Sequence, residues 1–203
     1  MENPYQAPAS EPPPLPLPTT RGLLPVRTLA SAALWMYVGS SVLAVVDHLV
    51  RAFALPQARN LHNTEWIMII LGLGSMVPYL IWKYRVTWNA TLISPAGMTD
   101  SPAMAVGSYF IPIANFFLPF KAMAQVARAT TGTTRGVALW WATQLGGMLL
   151  GLVIGVVQGT NSPAVPGMLD HLYIALSVPS VFAAWRLMMD ITRAQTAGMQ
   201  GPA

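Results

Sequence analysis

Histidine and aspartate stand side by side at two places where an apolar stretch ends, which makes them the first candidates for chemistry in this chain. Asp47 precedes His48, and Asp170 precedes His171. Imidazole and carboxylate groups together bind divalent metals or relay protons within membranes. However, no HExxH motif or other metal-ligand spacing accompanies them, and polar side chains are ordinary at membrane interfaces. We therefore expect interface anchoring and no metal or cofactor, with these four residues as weak candidates for a metal site.

A second candidate site combines an indole, a guanidinium and an amide. Trp82, Arg85 and Asn89 follow one another at intervals of three and four residues, so a continuous helix places them on one face. Such a face could bind lipid phosphates, cap a neighbouring folded-back segment, or simply anchor the helix at the lipid surface. The spacing alone leaves these three roles open.

A third candidate lies in an apolar run that is unsuited to a plain membrane helix. Within residues 107–121, Pro112 and Pro119 each remove a backbone donor, and Asn115 between them favours helix ends. In lipid, backbone groups freed by such a break must be satisfied by protein or trapped water. The run therefore predicts a re-entrant or interfacial segment between two membrane spans, or a functional cavity.

Composition identifies the class of protein. Of 203 residues, 54% are hydrophobic and 9% are charged, whereas about 25% are charged in soluble domains. Four apolar stretches approach the length of about 20 residues that a membrane helix needs, and they cover 29–50, 66–86, 137–157 and 169–189. The fold class predicted is an all-α integral membrane protein with four transmembrane helices.

The predicted domain organisation follows from these stretches. A proline-rich, disordered cytoplasmic tail covers 1–27, since eight of the 18 prolines precede residue 26. A single transmembrane domain covers 28–195, and a flexible tail covers 196–203. Between the second and third spans, 103–130 forms the re-entrant or amphipathic segment, in which Phe120, Met123 and Ala127 recur at helical spacing.

Basic residues predict the orientation in the membrane. With four spans, both termini inside and a non-crossing segment at 103–120, nine of the eleven basic residues are cytoplasmic: Arg21, Arg27, Lys83, Arg85, Lys121, Arg128, Arg135, Arg186 and Arg193. Only Arg51 and Arg59 are outside, whereas a fifth crossing gives at best seven against four. The positive-inside rule thus favours four spans. Five tryptophans should then lie at the inner interface, namely Trp82, Trp88, Trp140, Trp141 and Trp185.

The third span carries a regular series of glycines. Gly147, Gly151, Gly155 and Gly159 recur at intervals of four and form a smooth face on which another helix can approach closely. We interpret this face as a packing surface. It serves either a neighbouring span of the same chain, a second copy, or another membrane protein.

The stretch from residue 82 to 128 resembles a bacterial membrane family known as domain of unknown function 4328. The matching motifs are Trp82-Lys-Tyr-Arg85 with Asn89, Phe110-Ile-Pro-Ile-Ala-Asn115, Pro119-Phe-Lys-Ala-Met-Ala-Gln-Val126 and the ending Trp185-Arg-Leu-Met-Met-Asp-Ile-Thr-Arg-Ala-Gln195. The resemblance covers roughly 30–195 and implies a multi-pass protein of the bacterial cytoplasmic (inner) membrane. It implies no catalytic residues.

Known enzyme motifs are missing from the sequence. It contains no GxSxG, P-loop or HExxH motif, and it has no cysteine. The net charge of +4 is spread over short loops without a nucleic-acid recognition motif, so we expect lipid headgroups rather than nucleic acid as its partner. We predict a non-enzymatic scaffold or interaction subunit. The alternative is a transporter or channel component with a pathway at Pro112–Asn115.

Overall fold

The computed structural model describes residues 22–53, 62–159 and 166–200, and every regular element in these ranges is helical. Six α-helices follow one another: α1 (Arg27–Phe53), α2 (His62–Ile93), α3 (Pro102–Gly107), α4 (Leu118–Thr131), α5 (Val137–Gly159) and α6 (Pro166–Gln200). Three single 3₁₀ turns, at Pro95–Gly97, Ser108–Phe110 and Ala114–Phe116, connect α2 to α4 through α3.

Three helices in the described part are long and apolar enough to cross a membrane. The spanning stretches are Arg27–Asp47 in α1, Val137–Ile154 in α5 and Ile174–Met199 in α6. Large apolar side chains also cover the outside of the bundle, among them Trp35, Ile70, Leu73, Leu152 and Val178, each at least 63% exposed. A surface of this kind requires lipid or protein around it, which agrees with the all-helical membrane class predicted from composition. Four spans stay a prediction, because three of the described helices meet the requirement of length and hydropathy.

The four long helices form a row. α1 packs against both α2 and α6, α5 packs against α6, and α2 touches α6 to a smaller extent. The order across the row is therefore α2, α1, α6, α5, and α2 and α5 are its two outer members. The short helices α3 and α4 contact α2, and α4 also contacts α5 and α6.

The chain returns to one end of the bundle between α2 and α5. Leu24, just before α1, bonds to Asn89 near the end of α2. Asn89 in turn bonds to Gln195 of α6, and Gln195 bonds to Thr130 of α4. We call this end, covered by α3 and α4, the capped end. Because α2 ends and α5 begins there, the intervening segment starts and finishes on the same side of the bundle.

Helix α4 shows the amphipathic pattern expected of it. It begins with Pro119 in its first turn and ends at Gly132, which has a φ of 72° that suits glycine. Its buried face includes Ala122, Met123 and Val126. That face is covered by the helices of the bundle, while Lys121 on the opposite face is 54% exposed.

Packed or helical residues extend beyond the predicted domain bounds of 28–195 at both ends of the described part. The N-terminal tail was predicted for 1–27, of which 1–21 lie outside the described part. Val26 is 1% exposed and belongs to the core, and Leu24 is hydrogen-bonded to Asn89. At the other end, α6 continues through residues 196–200, since Gln195 is fixed inside the bundle and the following residues include good helix formers. Residues 201–203 lie outside the described part.

Candidate functional site

Asn89 is the centre of a buried polar cluster at the capped end. Its amide nitrogen donates to the Leu24 carbonyl at 2.9 Å and to Gln195 Oε1 at 2.9 Å, and its amide oxygen accepts from the Leu24 backbone N–H at 2.7 Å. The Asn89 side chain thus pairs with the backbone of the segment before α1 as a neighbouring strand would. Because Asn89 has no exposed surface, these bonds are shielded from water.

Gln195 extends this cluster from α6. Its amide nitrogen donates to the Val86 carbonyl at 3.0 Å and to Thr130 Oγ1 at 3.2 Å. One turn earlier on α6, Thr192 Oγ1 accepts a hydrogen bond from the Trp82 indole at 3.0 Å. Two side chains of α6 therefore pair with the two predicted residues Trp82 and Asn89. We call these four residues, Trp82, Asn89, Thr192 and Gln195, the end cluster.

The three residues predicted to share a face of α2 have different surroundings. Trp82 and Asn89 are fully buried, so neither side chain is the lipid-facing anchor that was one interpretation of the spacing. Arg85 is less buried, and its guanidinium donates to the Pro25 carbonyl at 2.8 Å. Arg85 and Asn89 together hold residues 24 and 25 against α2, so they cap a segment of the chain, though not the Pro/Asn segment.

The burial of Lys83 in this region was not expected from the sequence. It is fully buried, and its ammonium nitrogen has no hydrogen-bond partner among the described residues. The Asp100 carboxylate acts on it electrostatically, although Asp100 is itself bound by Lys121 at 3.1 Å and by Gln125 at 3.0 Å. A buried ammonium without a bonded partner is energetically costly.

The predicted break is present between α3 and α4. Pro112 is exposed, and the chain passes through two 3₁₀ turns before Pro119, which is buried at the start of α4. Among the described residues, the side-chain amide of Asn115 makes only a long contact with Met148 Sδ, at 4.0 Å. The firmer attachment is at the neighbouring residue, where the Trp141 indole donates to the Phe116 carbonyl at 3.0 Å. We call residues 108–117 the broken segment.

A cavity of about 260 Å³ lies between the four long helices, next to the broken segment. Its walls come from α1, α2, α5 and α6, and Tyr109 of the broken segment closes one side. Five aromatic side chains line it, namely Tyr37, Tyr79, Tyr109, Trp140 and Trp141, and none of its lining residues is charged. We call it the aromatic cavity. Asn115 is not among its lining residues.

Two pairs of hydroxyl groups border the aromatic cavity. Tyr37 Oη and Ser180 Oγ are 2.8 Å apart, and the Gln144 amide donates to Ser180 Oγ at 3.0 Å. On the other side, Tyr79 Oη and Tyr109 Oη are 2.7 Å apart. The cavity thus combines aromatic walls with hydroxyl and amide groups.

Of the four candidate metal ligands, the structure describes the side chains of two, Asp47 and His171. No group of three His, Cys, Asp or Glu side chains that could hold a metal ion occurs in the described part of the chain. Asp47 is buried on α1, and His171 is exposed on α6. The side chains of His48 and Asp170 lie outside the described residues.

The glycines of α5 face two different environments. A methyl group at Gly146 would lie 3.0 Å from Leu176 of α6, so this glycine serves the contact between the two helices. Methyl groups at Gly147 and Gly151 would meet no described atom within 4 Å. Gly155 and Gly159 are helical, but their surroundings are not described. The described half of the predicted packing face is thus open.

Several residues of these sites were not singled out from the sequence. Gln195 and Thr192 were quoted only as part of the resemblance, and Lys83 only as a basic residue near a helix end. Gln144 carried a usable signal, since an uncharged amide inside a long apolar run usually faces protein or a cavity. The tyrosines carried none, because tyrosine is common in membrane helices.

Comparison with known proteins agrees with the resemblance in the sequence. The model of the family described as Domain of unknown function (DUF4328) matches residues 58–196. This match covers more than half of the chain and includes α2 to α6 with the end cluster, the broken segment and most of the aromatic cavity. No curated protein and no solved structure matches the chain. The chain belongs to the DUF4328 family.

Proposed function

We propose that this member of the DUF4328 family is a non-enzymatic scaffold or interaction subunit of the bacterial cytoplasmic membrane, and that it assembles through the glycine face of α5. The observation that carries this proposal is the open surface at Gly147 and Gly151, which no described atom approaches within 4 Å. Small residues allow two membrane helices to approach closely. Leu152 beside them is 65% exposed and offers apolar contact to an arriving helix.

The two kinds of glycine on α5 support an external partner. Gly146 is used inside the protein, because it lies against Leu176. Gly147 and Gly151 lie on another side of the same helix and have no such neighbour. One helix therefore offers one glycine to α6 and keeps a second surface for a partner, which is either a second copy or another membrane protein.

The predicted topology has four spans, namely the three apolar helices α1, α5 and α6 together with α2. Both termini are in the cytoplasm in this topology. The convergence of the segments before α1 and after α2 at the capped end supports it, as does the return of the chain to that end before α5. The capped end also holds Lys83, Arg85 and Lys121, which the positive-inside rule places in the cytoplasm. Segment 103–120 then stays on the cytoplasmic side, where the broken segment exposes Ile113 and Phe117 to the lipid surface.

The chain lacks cysteine, which makes this topology simple to test. Single cysteines at Gly97 and at Ser162 should react with a membrane-impermeant maleimide from opposite sides of the membrane. Labelling of both from one side would contradict four spans with a non-crossing segment.

The alternative function is a transporter or channel component with a pathway at Pro112–Asn115. The aromatic cavity favours it, because polar groups between membrane helices often mark a substrate site. Two observations favour the scaffold instead. Asn115 does not line the cavity, and the end cluster fills the bundle interior at the capped end with paired groups.

The decisive experiment is purification in mild detergent followed by crosslinking and mass spectrometry of bound proteins. We expect a stoichiometric partner or a homo-oligomer that is lost in Gly151→Leu. The matched control is Gly39→Leu, which also adds a side chain at an open helical glycine, on α1. Unchanged assembly in Gly151→Leu would reject the glycine face, and solute flux into proteoliposomes would favour the transport function.

A further inference from the structure

The aromatic cavity opens beside exposed apolar side chains on the outside of the bundle. Its side walls are α2 and α5, the outer members of the helix row, which do not pack extensively against each other in the described residues. Met76, one of its lining residues, is 37% exposed on the lipid-facing side of α2. The neighbouring exposed side chains Leu73 and Val77 are apolar. The rim therefore has the character of a membrane protein surface rather than of an aqueous entrance.

The size and lining of the cavity restrict the ligand. An apolar cavity of about 150 Å³ accommodates benzene, so about 260 Å³ holds a substituted ring. Aromatic walls favour a planar ring through stacked and edge-to-face contacts. Since no charged side chain lines the cavity, a phosphate or carboxylate would be buried there without a counter-ion, at high cost.

The polar groups at the border require oxygen atoms on the ligand. Two hydroxyl groups that share one hydrogen bond have two protons, and only one of these lies in the shared bond. The Tyr79–Tyr109 pair therefore keeps one proton that no other described group accepts. Conversely, Gln144 donates through its amide nitrogen, while its amide oxygen accepts no hydrogen bond from a described residue. The cavity thus offers both a donor and an acceptor.

We propose that the aromatic cavity binds the uncharged, oxygen-substituted ring of a lipid-soluble molecule, a quinone or hydroquinone head group whose apolar tail stays between α2 and α5. In the quinone form a ring carbonyl accepts from the Tyr79–Tyr109 pair, and in the hydroquinone form a ring hydroxyl donates to Gln144. A lipid acyl chain fits less well, because it satisfies none of these polar groups, and each buried group left without a partner costs about 1–3 kcal/mol. The proposal concerns binding and is independent of assembly through α5.

Gly72 provides a direct way to close the cavity. It lines the cavity, and a methyl group there would meet no described atom within 4 Å. Gly72→Leu adds three further carbons beyond that open methyl position, and we expect them to occupy part of the ligand's space. Gly39→Leu again serves as the matched control, because Gly39 is also open and does not line the cavity.

The test measures binding of a short-chain alkyl benzoquinone to the full chain in lipid nanodiscs, and the displacement of this quinone by the alkane alcohol of the same chain. Quenching of tryptophan fluorescence reports binding, because Trp140 and Trp141 line the cavity. We expect saturable binding of the quinone that is weakened at least about tenfold by Gly72→Leu and unchanged by Gly39→Leu.

A second variant separates ring recognition from filling of an apolar groove. Gln144→Leu should weaken binding of the corresponding hydroquinone about tenfold, the loss of one hydrogen bond, and should leave binding of the quinone unaffected, since the quinone has no hydroxyl to donate to Gln144. Thr143→Val is its control, since the Thr143 hydroxyl bonds to the Trp140 carbonyl outside the cavity. Equal binding of quinone and alcohol would identify an acyl-chain site and overturn the proposal. Equal quinone binding by wild type and Gly72→Leu would also overturn the proposal. If Gly72→Leu does not fold, hydroquinone binding by Gln144→Leu is the deciding measurement.

Discussion

Replacing Asn89 by leucine should be among the most destabilising single changes in this protein. The variant keeps the approximate volume of the side chain but removes its bonds to the Leu24 N–H, the Leu24 carbonyl and Gln195 Oε1. At about 1 kcal/mol for each intramolecular hydrogen bond, the free energy of unfolding should fall by about 3 kcal/mol. The Gln195 amide oxygen is buried, so water does not replace its lost donor.

A double-mutant cycle makes this prediction quantitative. Gln195→Leu also removes three bonds, of which one is shared with Asn89. The double variant should therefore lose about 1 kcal/mol less than the sum of the two single variants. The measurement is denaturant unfolding in detergent micelles, followed by tryptophan fluorescence, and hydrogen exchange at the Leu24 amide should increase in Asn89→Leu.

Thr91→Val is the control on the same helix, because its hydroxyl bonds to the Trp88 carbonyl at an exposed position. It should change stability by less than about 0.5 kcal/mol. If Asn89→Leu is equally mild, or if the double variant is strictly additive, the end cluster does not hold the capped end together and the argument from its hydrogen bonds is wrong.

Two further variants probe neighbouring contacts. Lys83→Met keeps the length of a buried side chain and removes an ammonium that has no bonded partner among the described residues. We therefore expect the free energy of unfolding, measured by thermal unfolding, to be unchanged or higher. A loss above about 2 kcal/mol would instead reveal a bound group that pairs with the ammonium. Trp141→Phe removes the hydrogen bond from the indole to the Phe116 carbonyl, so the free energy of unfolding should fall by about 1 kcal/mol. Hydrogen exchange should become faster in the broken segment and not elsewhere. Unaltered exchange there would show that this bond does not position the segment.

The sequence predicted the elements of this fold better than it predicted their surroundings. Apolar length and helical spacing located α1, α5, α6 and the amphipathic α4, because these signals are local. The tryptophan belt shows the limit. Trp82, Trp140 and Trp141 were expected at the membrane interface but are buried, since the core at this end also includes residues of α4 that the sequence does not bring near them.

The candidate site was predicted only in part for the same reason. The spacing of Trp82 and Asn89 correctly placed them on one helix face. Their partners Thr192 and Gln195 lie more than a hundred residues away, and no pattern in a single sequence connects such distant positions. The aromatic cavity is still less visible, because its wall combines residues from four helices and the broken segment, each of which is ordinary in its own local sequence.

The break at Pro112 has a structural reason that the sequence alone could not supply. α2 and α5 stand at opposite ends of the helix row, yet both must be attached to the segment that connects them. Tyr109 reaches α2 through Tyr79, and the Phe116 carbonyl reaches α5 through the Trp141 indole. In an uninterrupted helix the Phe116 carbonyl would bond four residues ahead, to Phe120, so it would not be free for Trp141. The 3₁₀ turn at Ala114–Phe116 leaves it free, so one short segment bonds to both outer helices beside the aromatic cavity.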